Sequence, residues 1–185
     1  MIGAITAGLF GTGVAASTNS YESIATYTIG AGGQASVTFS SIPSTYKHLQ
    51  IRVMTRTSAG GNSLRLRFNS DTGANYSNHE VYGDGSAAGA YAEASVTSGF
   101  ADYLAPSTAS ANVFGVAVID VLDYQNTNKY KTVRTLSGYD NNGSGAVALN
   151  SNAWRSTSAV DTVLLYFGSG NVTQYSSFAL YGIKG

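Results

Sequence analysis

Cysteine is absent from the 185 residues, which excludes disulfide staples and all thiolate chemistry. Charge is scarce. Asp, Glu, Lys and Arg make up 11% of the chain, against about 25% in an ordinary soluble domain. The formal net charge is zero, so the chain as a whole lacks the positive field that binds nucleic acid through counterion release. No uninterrupted apolar run reaches the roughly 18 residues of a membrane-spanning helix, so membrane insertion is not expected. The only two histidines, His48 and His79, have no carboxylate or second histidine beside them at ligand spacing, which argues against zinc. Serines abound, but no G-x-S-x-G elbow is present and nothing in the sequence pairs a serine with a histidine and an acid. GAGG (residues 30–33) and AGGN (59–62) are not phosphate loops, because no helix pattern follows to supply an N-terminus.

Polarity comes instead from Ser, Thr, Asn and Gly, together with 13 Tyr. Thr, Tyr and Val favour strands, whereas Gly and Asn make turns. The stretch KHLQIRVMTRT alternates, with Leu49, Ile51 and Val53 on one face and His48, Gln50, Arg52, Met54 and Arg56 on the other. SLRLRF alternates too, aiming Leu64, Leu66 and Phe68 at a core. Further strands are expected at 21–29, 34–39, 79–82, 91–96, 146–149, 162–167 and 177–183, and Pro43 fixes a turn. A long hairpin runs from Val113 to Leu122, through the turn YQNTN, and back from Lys129 to Leu136. Its first strand, VFGVAVIDVL, is apolar on both faces, which predicts a central strand with protein covering each side. No capped helix pattern appears. The chain reads as all-β: a jelly-roll-like β-sandwich of about eight to ten antiparallel strands, spanning 21–185, behind an extended N-terminal arm over 1–20.

That arm begins MIGAITAGLFGTGVAAS. No Lys or Arg precedes Lys47, and glycines at 3, 8, 11 and 13 oppose a helix, so the reading adopted is an apolar docking arm rather than a signal peptide. Ile2, Ile5, Leu9, Phe10 and Val14 are its candidate anchors. If the strands around Arg52 and Leu66 pair through SAGGN, Arg52 falls opposite Arg67, a like-charge contact needing a carboxylate such as Asp120 or Asp123, a partner subunit, or solvent. Candidate acid pairs for glycoside hydrolysis are Asp120 with Asp123 and Glu80 with Asp84. Turn and edge carboxylates account for both more simply, and the odd interval of the first sets its members on opposite strand faces. NSDTGANYSN and GYDNNGSG are rich in oxygen ligands, which raises calcium, but neither follows the EF-hand order and Asx turns explain the same residues; no cofactor is expected. Tyr76, His79, Tyr82, Tyr91 and Trp154 are candidates for contact with a glycan or a protein partner, with core packing as the alternative for the aromatics.

Some segments carry a family likeness. SYESIATYTIGAGGQASVTFSSIPSTYKHLQIRV resembles the opening of a β-rich domain found in virion structural proteins of tailed bacteriophages, among tail, fibre and decoration components. The pattern FN-x-D-x-x-x-NY-S-x-H at Phe68, Asn69, Asp71, Asn75, Tyr76, Ser77 and His79 is similar to that group's next segment, and DYQNTNKYKTV and FALYGIKG are similar to later ones. The resemblance covers roughly 21–185 and carries no catalytic motif. It implies a non-enzymatic virion protein, assembled in the host bacterial cytoplasm as a symmetric oligomer such as a trimer. Such a protein joins other capsid or tail proteins through the N-terminal arm. The alternative is a carbohydrate-binding, host-receptor module of a phage tail.

Overall fold

The structure is a computed structural model that describes residues 20–185. Twelve strands follow in order: β1 (Tyr21–Thr28), β2 (Ser36–Phe39), β3 (His48–Thr55), β4 (Leu64–Phe68), β5 (Tyr76–Gly83), β6 (Ala88–Val96), β7 (Gly99–Ala101), β8 (Gly115–Leu122), β9 (Lys131–Asp140), β10 (Gly145–Trp154), β11 (Val163–Phe167) and β12 (Ser177–Ile183). There is no helix among the described residues. The all-β expectation holds, with two strands more than its upper count. β7 was not anticipated, and β5, β6 and β10 run longer than the short alternating cores that marked them.

Two antiparallel sheets face each other. One has eight strands in the order β1-β12-β3-β8-β9-β10-β5-β6, the other four in the order β2-β11-β4-β7. Four pairings are nested along the chain: β1 with β12, β2 with β11, β3 with β8 and β4 with β7. The chain thus doubles back on itself like one long hairpin, wound so that successive pairs lie in alternate sheets. The hairpins β5–β6 and β9–β10 are additions to this frame, and both extend the larger sheet beyond β8.

Period-2 alternation decides what fills the space between the sheets. Leu49, Ile51 and Val53 of β3, Ala117, Ile119 and Val121 of β8, and Phe178 and Leu180 of β12 meet Leu64, Leu66, Phe68, Val163 and Leu165 from the smaller sheet. The long connection after β8 is pinned into this core. Tyr124 is fully buried and donates its hydroxyl to the carbonyl of Pro43, while Lys131 buries its ammonium against the carbonyls of Asn126, Lys129 and Thr157.

β3 and β4 do not pair. They lie in different sheets, because the connection between them turns from one layer to the other. Arg52 and Arg67 are therefore not opposed: Arg52 stacks 5.3 Å from the Tyr181 ring centroid, and Arg67 lies 5.0 Å from that of Tyr166.

The FN-x-D-x-x-x-NY-S-x-H pattern is the lock of the β4–β5 corner. The Asp71 carboxylate accepts from the Trp154 indole at 2.6 Å, from Asn75 Nδ2 at 3.0 Å and from the Gly73 amide at 2.8 Å. The Tyr76 hydroxyl accepts from the Phe68 amide at 2.9 Å, and Asn69 ties the corner to 159–162 through its carbonyl and amide. Burial raises the Asp71 pKa, but the hydrogen bonds from Trp154, Asn75 and Gly73 outweigh it and hold the carboxyl below its ordinary 3.8. A depressed carboxyl contributes stability above its unfolded pKa and loses it as pH falls through the folded value. Asp71→Ala should therefore lower stability by about 1–3 kcal/mol near pH 7, because it orphans the buried indole N–H, with the gap to the parent narrowing below about pH 4. Urea midpoints at the two pH values measure this, and an equal gap at both would contradict it.

Candidate functional site

The outer face of the eight-stranded sheet departs from what a free-standing sandwich needs. In-register rows cross β3, β8, β9, β10 and β5. One row runs Arg52, Val118, Leu136, Leu149, Val81; the next runs Met54, Val116, Gly138, Val147, Gly83. Each of Met54, Val81, Val116, Val118, Leu136, Val147 and Leu149 is 37–57% exposed. The expectation that β8 is covered on both sides is thus half corrected. β8 lies in the middle of the larger sheet, but Val116, Val118 and Leu122 face outward with none of the described residues above them. Around Gly138 the face dips into an open groove of about 680 Å³, walled by 83–85 and 139–145. Gly138 sits there because a Cβ at this position would come within 2.5 Å of the Ala146 carbonyl oxygen.

On β9, β10 and β5 the polarity of the sheet is inverted. Beside Tyr76, Val133, Ala148 and Trp154, their inward residues include Thr135, Ser137, Asn150, Asn152, Asn78 and Glu80, all buried, whereas their outward residues include Leu136, Val147, Leu149 and Val81. Part of the inward set is hydrogen-bonded, while Thr135 Oγ1, Asn78 Oδ1 and Asn150 Oδ1 have no partner among the described residues. Asn152 donates to the Phe100 carbonyl and accepts from the Phe100 amide, Ser137 donates to the Asp102 carbonyl, and Asn150 Nδ2 reaches Glu80 at 2.5 Å.

Glu80 lies at the bottom of a second recess, of about 270 Å³, whose lining includes Tyr82, Tyr91, Asp102, Tyr103 and Asn62. The Tyr82 and Tyr103 rings sit 5.1 Å apart, and Tyr82 lies over Gly89, where a Cβ would strike the ring. Burial first, and then a hydrogen bond and charge from Asp102, push the Glu80 carboxyl up to about 7, against the opposing pull of Asn150. Asp102 is 22 positions from Glu80, and only the return of the chain through β7 brings the two together. No alternation or spacing announces that contact. The acid pairs read from sequence do not form: Asp120 takes Gln50 Nε2 on the outer face, Asp123 is ion-paired with Lys47 and Lys129, and Asp84 caps the amides of Ser86 and Ala87.

The structure divides the five candidate contact residues. Tyr76 and Trp154 are core residues, 1% and 3% exposed, which corrects their reading as surface aromatics. Trp154 ends β10, where alternation turns it inward onto Phe68 and Tyr76. His79 is exposed on the outer face. Tyr82 and Tyr91 line the Glu80 recess. The anchor candidates Ile2, Ile5, Leu9, Phe10 and Val14 lie outside the described residues. Both Asp71 oxygens, the centre of the calcium reading, are occupied by protein donors. The outward residues Met54, Val81, Val116, Val118, Leu136, Val147 and Leu149 carried no functional reading in the sequence, although unbroken apolar alternation through VFGVAVIDVL was their signal.

No family model, curated protein or solved structure matches this chain.

Because the Glu80 carboxyl is raised, its contribution to stability is full below the ordinary carboxyl value and is lost as pH rises through about 7. Glu80→Gln keeps an acceptor for Asn150 and a donor for Asp102 without the ionisation. The variant should match the parent near pH 4 and exceed it by about 1–3 kcal/mol near pH 8 in urea unfolding. A difference independent of pH would contradict the assignment.

Proposed function

We propose that this chain is a non-enzymatic structural protein of a tailed-bacteriophage virion. In this reading it is a capsid-decoration or tail component that works by being built into a larger symmetric assembly. The observation that carries the reading is the inverted polarity of β9, β10 and β5, with a buried polar side turned inward and an apolar side left open. A contiguous apolar patch on a sheet face marks a surface that another protein covers. The nested pairing of β1–β12, β2–β11, β3–β8 and β4–β7 supports a jelly roll with two inserted hairpins. The resemblance of 21–185 to segments of phage virion proteins motivates the particle context.

Attachment through 1–20 belongs to the same proposal. The Ser20 carbonyl accepts from the Lys184 amide beside the edge strand β1, so the described residues begin at an edge of the larger sheet. Ile2, Ile5, Leu9, Phe10 and Val14 would bury apolar surface against a neighbour at about 25 cal/mol per Å².

Deletion of 1–16 tests both parts. The shortened chain should fold with an unchanged β-rich circular dichroism spectrum yet be missing from purified particles that contain the full chain. Particles that lack the full chain as well would sink the virion reading. Equal incorporation of both would sink the anchoring.

A second reading, glycan binding, is favoured by the recess in which Tyr82, Tyr91 and Tyr103 surround two carboxyl groups. Aromatic faces and oxygen acceptors are what sugar rings and hydroxyls use. Binding on a glycan array that disappears in Tyr82→Ala and Tyr91→Ala would favour it over the structural reading, and a blank array would remove it.

A further inference from the structure

We propose that the occupant of the open apolar face is a second copy of this chain, packed sheet to sheet about a two-fold axis lying across the strands. The proposal rests on the reading of that face as an assembly surface. Shape, charge and area each bear on it.

A two-fold axis relating two opposed faces lies in the plane between them. If it ran along the strands, like ends of the face would meet. If it runs across them, each strand lies over its own counterpart, reversed end for end. Set level with Ser137, such an axis brings Leu136 over Gly138 of the second copy and Val81 over its Gly83. Val118 then meets Val116, and Leu149 meets Val147. The larger row thereby faces the smaller one, and the protruding Leu136 enters the groove around Gly138. Twisted sheets pack at about 30° to each other, so this register holds best on the strands nearest the axis.

Charge selects the same axis. At one end of the apolar rows stand Arg134, His79 and Arg52, whose guanidinium leans toward Gln50 and Tyr181. Asp120 lies among them and is held by Gln50. At the other end stand Asp84 and Asp140, both exposed; Arg56 is nearby, but its guanidinium is wrapped by the carbonyls of Ser107, Ala109, Ser110 and Val113. The axis across the strands places Arg134, three residues before Ser137, over Asp140, three residues after it, in both directions at once. The axis along the strands would stack Asp84 and Asp140 of both copies at one end.

The area suffices. Five strands at about 4.8 Å spacing and seven residues at about 3.3 Å give a footprint of roughly 500 Å² on each copy. The pair therefore covers roughly 1,000 Å² or more, which reaches the range of specific interfaces.

Sedimentation equilibrium of the full chain should give about twice the 19.1 kDa chain mass. Leu136→Lys should raise the dissociation constant at least about 100-fold with an unchanged circular dichroism spectrum. Arg134→Glu and Asp140→Arg alone should each weaken association about 10-fold, and the double variant should recover to within about 3-fold of the parent. A monomer at about 100 μM, a trimer, or a dimer indifferent to Leu136→Lys would each overturn the proposal. A monomer that still enters particles would overturn only this pairing and leave the virion reading standing. Recovery in the double variant separates a specific contact from general damage to the fold.

Discussion

The structure depends on a mismatch of widths: an eight-stranded sheet is covered on its inner side by a sheet of four. Over β12, β3 and β8, apolar side chains fill the gap between the sheets. Over β9, β10 and β5 the opposing layer is the three-residue strand β7. There the chain places Asn78, Glu80, Thr135, Asn150 and Asn152: Asn150 bonds Glu80, Asn152 bonds the Phe100 backbone and Asn78 donates to Glu93, while Thr135 Oγ1, Asn78 Oδ1 and Asn150 Oδ1 have no hydrogen-bond partner among the described residues. The paired groups offset their desolvation, whereas each unpaired buried polar group costs about 1–3 kcal/mol. The apolar residues of these strands are then displaced to the outer face. That face is unstable as a solvent surface and fitting as an interface.

The two inserted hairpins are additions to a nested frame. The nested eight strands supply most of the core, to which β9–β10 and β5–β6 add Val133, Tyr76, Trp154 and Val96. They widen the sheet and carry the outward row from Val118 to Val81. They also form the recess in which Glu80 and Asp102 meet beneath the tyrosines. Both candidate sites lie partly on the additions and partly on the frame, through Met54, Val116 and Val118 in one and Asp102 and Tyr103 in the other.

Much of the frame was legible because alternation is a strong signal where one face is buried. Leu49, Ile51 and Val53, or Leu64, Leu66 and Phe68, announce their strands and their side. The partition into sheets was not legible. The turn SAGGN looks like a hairpin, yet it carries the chain between layers, and local sequence does not distinguish the two. Trp154 was misplaced because SNAWRST is loop-like in composition. Only its register with Tyr76 and Lys131 shows it to be the inward end of a ten-residue strand. Asp71 and Asn75 were read as ligand-rich loop residues, but their oxygens and amides are used by the corner they build. The Glu80–Asp102 pair was hidden for another reason. Long-range contact between carboxyl groups leaves no local trace, and only the tertiary fold supplies it.

The central claim is that the outer side of β8, β9, β10 and β5 is covered in the working protein. Carbene footprinting of the native assembly, compared with dilute chain, reads this residue by residue. The account predicts strong protection at Met54, Val116, Leu136, Val147 and Leu149 in the assembly, with Tyr175, exposed on another part of the surface, as a control that labels equally in both. Equal labelling of the apolar rows in both states would contradict it.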